Sequence, residues 1–177
     1  MSHPSHTDEH QAVDAAARQP ADVALRWISE PDRVDEFTHG ELLDQAACAA
    51  DVLSRLGVRP GDTVAVHLPL ISESIIMTIA CGRLGAGRAV LSTGLSAREL
   101  RDQLRESGAG VLITVDGAGR RKEPQALKPV VDRALTGCPD VRAVLVVHRV
   151  RRPVPWTPGR DLWWHEALGR ARRTLDA

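Results

Sequence analysis

Tyrosine is absent from this 177-residue chain, and Phe37 is its only phenylalanine. That shortage removes the stacked aromatic platforms on which single-stranded nucleic acids are bound. Net charge is lacking too. The 23 Lys and Arg residues balance 23 Asp and Glu residues, so no global field steers the chain to nucleic acid or acidic lipid. Cysteines are few: Cys48, Cys81 and Cys138 lie too far apart for a metal-binding spacing. Their odd count fits a reduced, cytoplasmic protein, and Cys48 and Cys81 sit in apolar helical patterns that bury thiols. No run approaches the ~20 apolar residues of a membrane helix, so no membrane partner is expected. The opening MSHPSHTDEH has neither a basic nor an apolar signal region. Its His3, His6 and His10 read as a solvated tail rather than a metal site. Lysine is nearly missing, with only Lys122 and Lys128 among the 23 basic residues, the mark of coding bias in a GC-rich bacterial genome.

What is there is a hydrophobic content of 43% on a length that supports one real core. Residues 1–20 are polar and Ala-rich, and a disordered tail is expected. Val23–Ile28 is a short β-type run, and the charged EPDRVDE after it reads as a hairpin turn or loop. Thr38 and Glu41 then form a capping box, and Leu42, Ala46, Ala49, Leu53 and Leu56 repeat at helical steps. Gly57 ends that helix in the manner of a left-handed cap.

Thr63–Leu68 is a continuous, largely β-branched run, the pattern of a strand buried on both faces. A helix capped by Ser72 is expected over Glu73–Leu84, apolar nearly all round and deeply buried. Arg88–Leu91 is a second strand. Ser96 and Glu99 form a second capping box, opening a helix with Leu100 and Leu104 inward. Val111–Val115 is a third strand, followed by the loop DGAGRRKEP, a helix around Gln125–Leu135 and a fourth strand over Val141–Val147. The Pro-rich remainder turns helical from about Asp161. Alternation of strand and helix with short links predicts an α/β fold, a doubly wound and mainly parallel sheet flanked by helices. The α/β segment is expected over residues 21–168, with a C-terminal tail at 169–177.

The stretches FTHGELLDQAACAADVLSRLGVRPGDTVAVHLPLISESIIMTIACGRLGA, SARELRDQLRESGAGVLITVDGAGRRKE, LKPVVDRALTGCPDVRAVLVVHR and WTPGRDLWWHEAL occur in one order. In that order they resemble the N-terminal part of the AMP-forming acetyl-CoA synthetases, within the adenylate-forming ligases. The resemblance covers roughly residues 21–168, and GRDLWWHEAL points to the acetate and propionate branch. It implies a two-step reaction. A carboxylate attacks the α-phosphate of ATP to give an acyl-adenylate and pyrophosphate, and CoA then displaces AMP. Such chemistry needs backbone amides around phosphate, Mg and charge stabilisation in a dry pocket. The phosphate loop of the type TSGSTGKPKG does not occur in these 177 residues. The expectation is therefore a truncated ligase with no catalytic residue assigned, ATP and Mg belonging to the full-length enzyme.

The resemblance assigns two CoA-contacting segments. The FGGFS-type loop corresponds to Ser92–Ser96, where Thr93 and Gly94 are the candidate contacts, glycine letting backbone approach a ligand closely. The Arg-containing loop corresponds to Asp116–Glu123. There Arg120 stands at the phosphate-pairing position, with Lys122 beside it, and a guanidinium suits phosphate through its forked donors. Glu123 occupies the second basic position.

Plainer roles are expected elsewhere. His67 reads as a core or pocket-wall histidine, Trp163 and Trp164 as packing residues, and Arg149, Arg151 and Arg152 as a solvated linker. Two functions follow: a ligase segment inactive alone, with the remainder of a ligase as its partner, or a CoA- or nucleotide-binding or interaction module that pairs with or regulates a full-length ligase. A nucleic-acid regulator has only the Arg-rich tail behind it, and the zero net charge opposes it.

Overall fold

The computed structural model describes residues 21–30, 33–118, 125–151 and 153–175. These fall into two compact units, Met1–Asp44 and Gln45–Ala177. The expected tail over 1–20, with His3, His6 and His10, lies outside the described residues.

In the first unit, β1 (Val23–Glu30) and β2 (Arg33–Thr38) pair as an antiparallel hairpin, with Arg26 opposite Glu36. The charged EPDRVDE segment is thus mostly strand rather than turn, because ladder pairing absorbs a polar sequence that one strand alone would not order. The expected capping box is present. Thr38 N–H donates to Glu41 Oε2 at 2.9 Å, and Glu41 N–H donates to Thr38 Oγ1 at 3.1 Å. It opens α1 (His39–Arg55).

The second unit is built on a five-stranded, all-parallel sheet. Its strands are β3 (Thr63–His67), β4 (Gly87–Val90), β5 (Val111–Val115), β8 (Ala143–Val147) and β9 (Asp161–Trp163), in the order β4-β3-β5-β8-β9. The helices are α2 (Ser72–Leu84), α3 (Ala97–Ser107), α4 (Lys128–Leu135) and α5 (Trp164–Leu175). A two-residue ladder, β6 (Gly117–Ala118) with β7 (Gln125–Ala126), closes the loop after β5.

Registry sets which residues face which layer. Ala65 lies beside Leu112, and Leu112 beside Val144. These three pack with Leu100 and Leu104 of α3 and Val131 and Ala134 of α4 in one buried cluster. The intervening Val64, Val66, Val111, Ile113 and Leu145 are buried as well, so both faces of the sheet are covered, as in a parallel sheet. Each fully buried Leu here contributes roughly 2 kcal/mol of burial, and truncating Leu112 to Ala would cost ~2–5 kcal/mol.

Several expectations need correction. No side chain caps α2: Ile71 is the cap residue, Ser72 Oγ turns to Glu73, and Ser74 Oγ donates to Pro69 O at 2.9 Å. Nor is α2 buried all round. Ile76, Met77, Ala80 and Cys81 form its inner face, while Thr78 and Arg83 are exposed. Gln125 and Ala126 belong to a ladder, not to α4, which starts at Lys128 with Pro129 in its first turn, where a missing N–H costs nothing. The segment at Asp161 is a fifth parallel strand before it is a helix. Three residues are too short for a period-2 signal, and only pairing with β8 makes them a strand. The proposed tail over 169–177 is not one as far as Leu175, because α5 runs to that residue.

Candidate functional site

The chain passes from β3 outward to β4 and then crosses back to β5 on the other side of β3. A doubly wound sheet of this order has its crevice outside the carboxyl ends of the two strands at that reversal. The loops following β3, β4, β5 and β8 all leave from this edge.

The β4–α3 loop carries Thr93, half-buried, and Gly94, exposed. Ser92 Oγ accepts the Gly94 N–H at 3.2 Å, and Ser92 O accepts the Leu95 N–H at 3.3 Å. A side chain at Gly94 would meet only Ser92 Oγ, at 3.7 Å. Its value is an unobstructed backbone rather than a strained one. The loop then enters α3 through the expected capping box, Glu99 N–H to Ser96 Oγ and Ser96 N–H to Glu99 Oε2. The Ser96 hydroxyl, donating to Glu99 Oε2 at 2.6 Å, and the Ser96 N–H together hold the Glu99 carboxyl below its usual range.

His67 lies beneath this loop at the end of β3, fully buried. Its Nδ1 is 2.9 Å from Thr114 Oγ1 on β5, and its Nε2 has no partner of good geometry. Burial pushes its pKa down to about 4, the Ser92 backbone opposing. It is a core histidine, as the sequence predicted. It links β3 to β5 across the strand reversal and carries no charge at neutral pH.

Arg120 and Lys122 lie outside the described residues, as do Arg121 and Glu123. The stem of their loop is described, and one residue organises it. Asp116, 1% exposed, accepts four backbone N–H groups. Its Oδ1 takes those of Gly117 at 2.8 Å, Arg149 at 2.8 Å and Val150 at 3.1 Å, and its Oδ2 takes that of Arg151 at 2.8 Å. Three successive amides aimed at one anion form a nest, here filled from within the chain. Arg151 adopts φ 54°, a conformation that costs a side-chain-bearing residue about 1 kcal/mol or more, offset here by its hydrogen bond to Asp116. Arg149 and Arg151 are therefore not a free solvated linker; their backbone is fixed to the loop after β5. Arg152 lies outside the described residues.

Further along the edge is a cleft of about 380 Å³ lined by His148, Arg151, Pro153, Val154, Trp156 and Trp163. The Trp163 ring is stacked on His148 at 4.1 Å and on Trp156 at 4.6 Å between centroids. Trp164 is buried. Both tryptophans do pack, and Trp163 also lines the cleft.

Sequence reading missed two features. One is Asp116, whose only signal was an Asp-Gly step directly after a buried strand, a turn signature. The other is a charge cluster. Lys128 Nζ, fully buried, donates to Asp161 Oδ2 at 2.7 Å, Asp132 Oδ1 at 2.8 Å and Pro155 O at 3.0 Å. Arg160 bridges Asp161 and Asp132, each at 2.6 Å. Burial alone would raise the Asp161 pKa, but hydrogen bonds from Arg160, Lys128 and the Thr157 backbone hold it below the usual range. With every member paired, the cluster holds β9 and the 155–160 turn against α4 and presents no free group for chemistry. Among the described residues no group of His, Cys, Asp and Glu could hold a metal, and no helix is long and apolar enough to cross a membrane.

A five-stranded parallel sheet with its strand reversal between β3 and β5, flanked by helices, defines a doubly wound α/β protein. The chain belongs to the AMP-binding enzyme family, whose profile matches residues 12–172. Within it the similarity is to acetyl-coenzyme A synthetases. The chain is 44% identical over 154 residues to that of Emericella nidulans, a match covering 86% of this chain and 23% of the relative. It is 44% identical over 144 residues to that of Streptomyces avermitilis, covering 81% of this chain and 22% of the relative. It is 42% identical over 150 residues to that of Mycolicibacterium smegmatis, covering 84% and 16%. The chain thus spans a quarter or less of the length of these relatives.

Proposed function

We propose that this chain is the CoA-side, N-terminal segment of an acetyl-CoA synthetase-like ligase, a cytoplasmic enzyme joining acetate or a similar short carboxylate to CoA with ATP. The carrying observation is the similarity to acetyl-coenzyme A synthetases over more than four-fifths of the chain. It is joined to a sheet edge that has an open glycine loop at Gly94 and the fixed stem of an arginine loop at Asp116–Ala118. In this reading Thr93 and Gly94 give backbone access to the CoA nucleotide, while Arg120, with Lys122, pairs its phosphate. Acyl-adenylate formation, with ATP and Mg, is assigned to a phosphate loop of the TSGSTGKPKG type. That loop would be supplied by the remainder of the ligase or by a full-length ligase acting as partner.

The test is a thermal melt of the purified chain with and without CoA, run beside Arg120→Ala. A ligand that binds only the folded chain stabilises it by about 2.7 kcal/mol at a hundredfold excess over Kd. The wild-type midpoint is expected to rise with CoA and the variant's to stay. A cooperative transition indifferent to CoA refutes CoA binding by this chain.

A further inference from the structure

We infer that Asp116 is a positioning residue for the carboxyl-edge site, setting two of its walls in one geometry without itself touching the ligand. This rests on the CoA reading above. The first wall is the stem of the loop after β5. Asp116 O accepts the N–H groups of Leu127 at 3.2 Å and Lys128 at 3.4 Å, closing the stem from inside, while its Oδ1 takes the Gly117 N–H. The second wall is the Arg149–Arg151 strap after β8, held by three of the four amides that the carboxylate binds. Asp116 N–H donates to Val147 O at 3.0 Å, so the residue sits where the β5–β8 ladder ends and the two loops part.

The walls also touch directly. A Cβ on Gly117 would come within 2.8 Å of Gln125 O and 2.9 Å of Val150 Cγ2, so only glycine lets stem and strap lie this close. The strap matters to a ligand because it carries two guanidinium groups to the edge, and Arg151, exposed, also lines the aromatic cleft. A buried carboxylate with all its neighbours backbone amides has one evident task, which is to hold backbone.

Asparagine keeps the shape of Asp116 but offers one oxygen in place of two. The oxygen can still serve Gly117 and Arg149, while the amide nitrogen faces the Arg151 N–H, donor against donor. With its acceptor gone, Arg151 has nothing to hold it at positive φ, and the strap leaves its place.

The experiment is CoA titration by calorimetry on the wild-type chain, Asp116→Asn and Gly117→Ala, each at a temperature well below its own melting midpoint. Asp116→Asn is expected to bind CoA about tenfold more weakly while folded, the factor that corresponds to losing roughly one charged hydrogen bond. Gly117→Ala keeps the carboxylate and wedges the two walls apart, and is expected to weaken CoA binding as well. A residue with a merely structural role would lower the midpoint and leave the affinity of the folded chain unchanged. Unchanged CoA affinity in folded Asp116→Asn, or in Gly117→Ala should the first variant not fold, overturns the inference alone. No CoA heat from the wild-type chain overturns the CoA reading and this inference with it.

Discussion

Lowering the pH should destabilise this chain through His67 before any carboxylate contributes. The imidazole is fully buried, and burial depresses its pKa to about 4, against about 6.5 in an unfolded chain. Between these values the unfolded state binds a proton that the folded state refuses. Stability is therefore intact above about pH 6.5 and falls as pH drops toward 4. The difference of about 2.5 units corresponds to roughly 3 kcal/mol, a large share of the ~5–15 kcal/mol that holds a domain together. The groups with depressed carboxyl pKa, Glu41, Glu99 and Asp161, act in a separate window. Their contribution is present above the ordinary carboxylate range and is lost only as pH falls through and below it.

The assay is urea unfolding at pH 7.0, 6.0, 5.0 and 4.5, for the wild-type chain and His67→Gln. Glutamine keeps a polar group for Thr114 and does not titrate. The wild type should lose about 1 kcal/mol per pH unit more than the variant across this interval, near the limit of 1.36 kcal/mol for one proton. The variant, less stable at pH 7, should approach or overtake the wild type near pH 4.5. Parallel stability curves for the two proteins would show that His67 titrates normally and would refute the argument.

Lys128→Met should be among the most damaging single changes. It leaves Asp161, fully buried, without its closest lysine donor, and breaking a buried pair from one side costs ~3–5 kcal/mol, read as a fall in melting midpoint of roughly 10 °C; a loss under ~1 kcal/mol would show that Arg160 alone satisfies the cluster. The thiols should resist modification. All three cysteines are buried, burial raises the Cys81 pKa to about 11, and Cys138 is raised by the same cause, so a disulfide reagent at pH 8 should titrate no thiol in the native chain and all three in denaturant.

The central fold was legible because its signals are local. A capping box needs four residues, and both boxes form as read, at Thr38–Glu41 and Ser96–Glu99. Three β-rich runs, Thr63–His67, Val111–Val115 and Ala143–Val147, needed only their own composition to be placed in a covered sheet. What was not legible depends on partners distant in sequence. Asp161–Trp163 becomes a strand by lying beside β8, and its Asp is tolerated inside the sheet layer because Lys128 reaches it from 33 residues away. Hydropathy scores that position as surface. Thr93 and Gly94 do lie in a loop at the carboxyl edge, while the geometry of Arg120 and Lys122 falls outside the described residues.

Asp116 and Lys128 show why the unread part is the part that matters for a site. Both are polar side chains in the interior, and each has its hydrogen-bonding atoms taken up by neighbours within the chain. Lys128 ties α4 to β9 and its preceding turn; Asp116 ties the loop after β5 to the strap after β8. Apolar packing cannot do this work alone, because it is non-directional and the segments involved are rich in Pro and Arg. The hydrogen bonds of a buried carboxylate or ammonium are directional, and leaving such a group unpaired is costly enough that one loop geometry is selected over its neighbours.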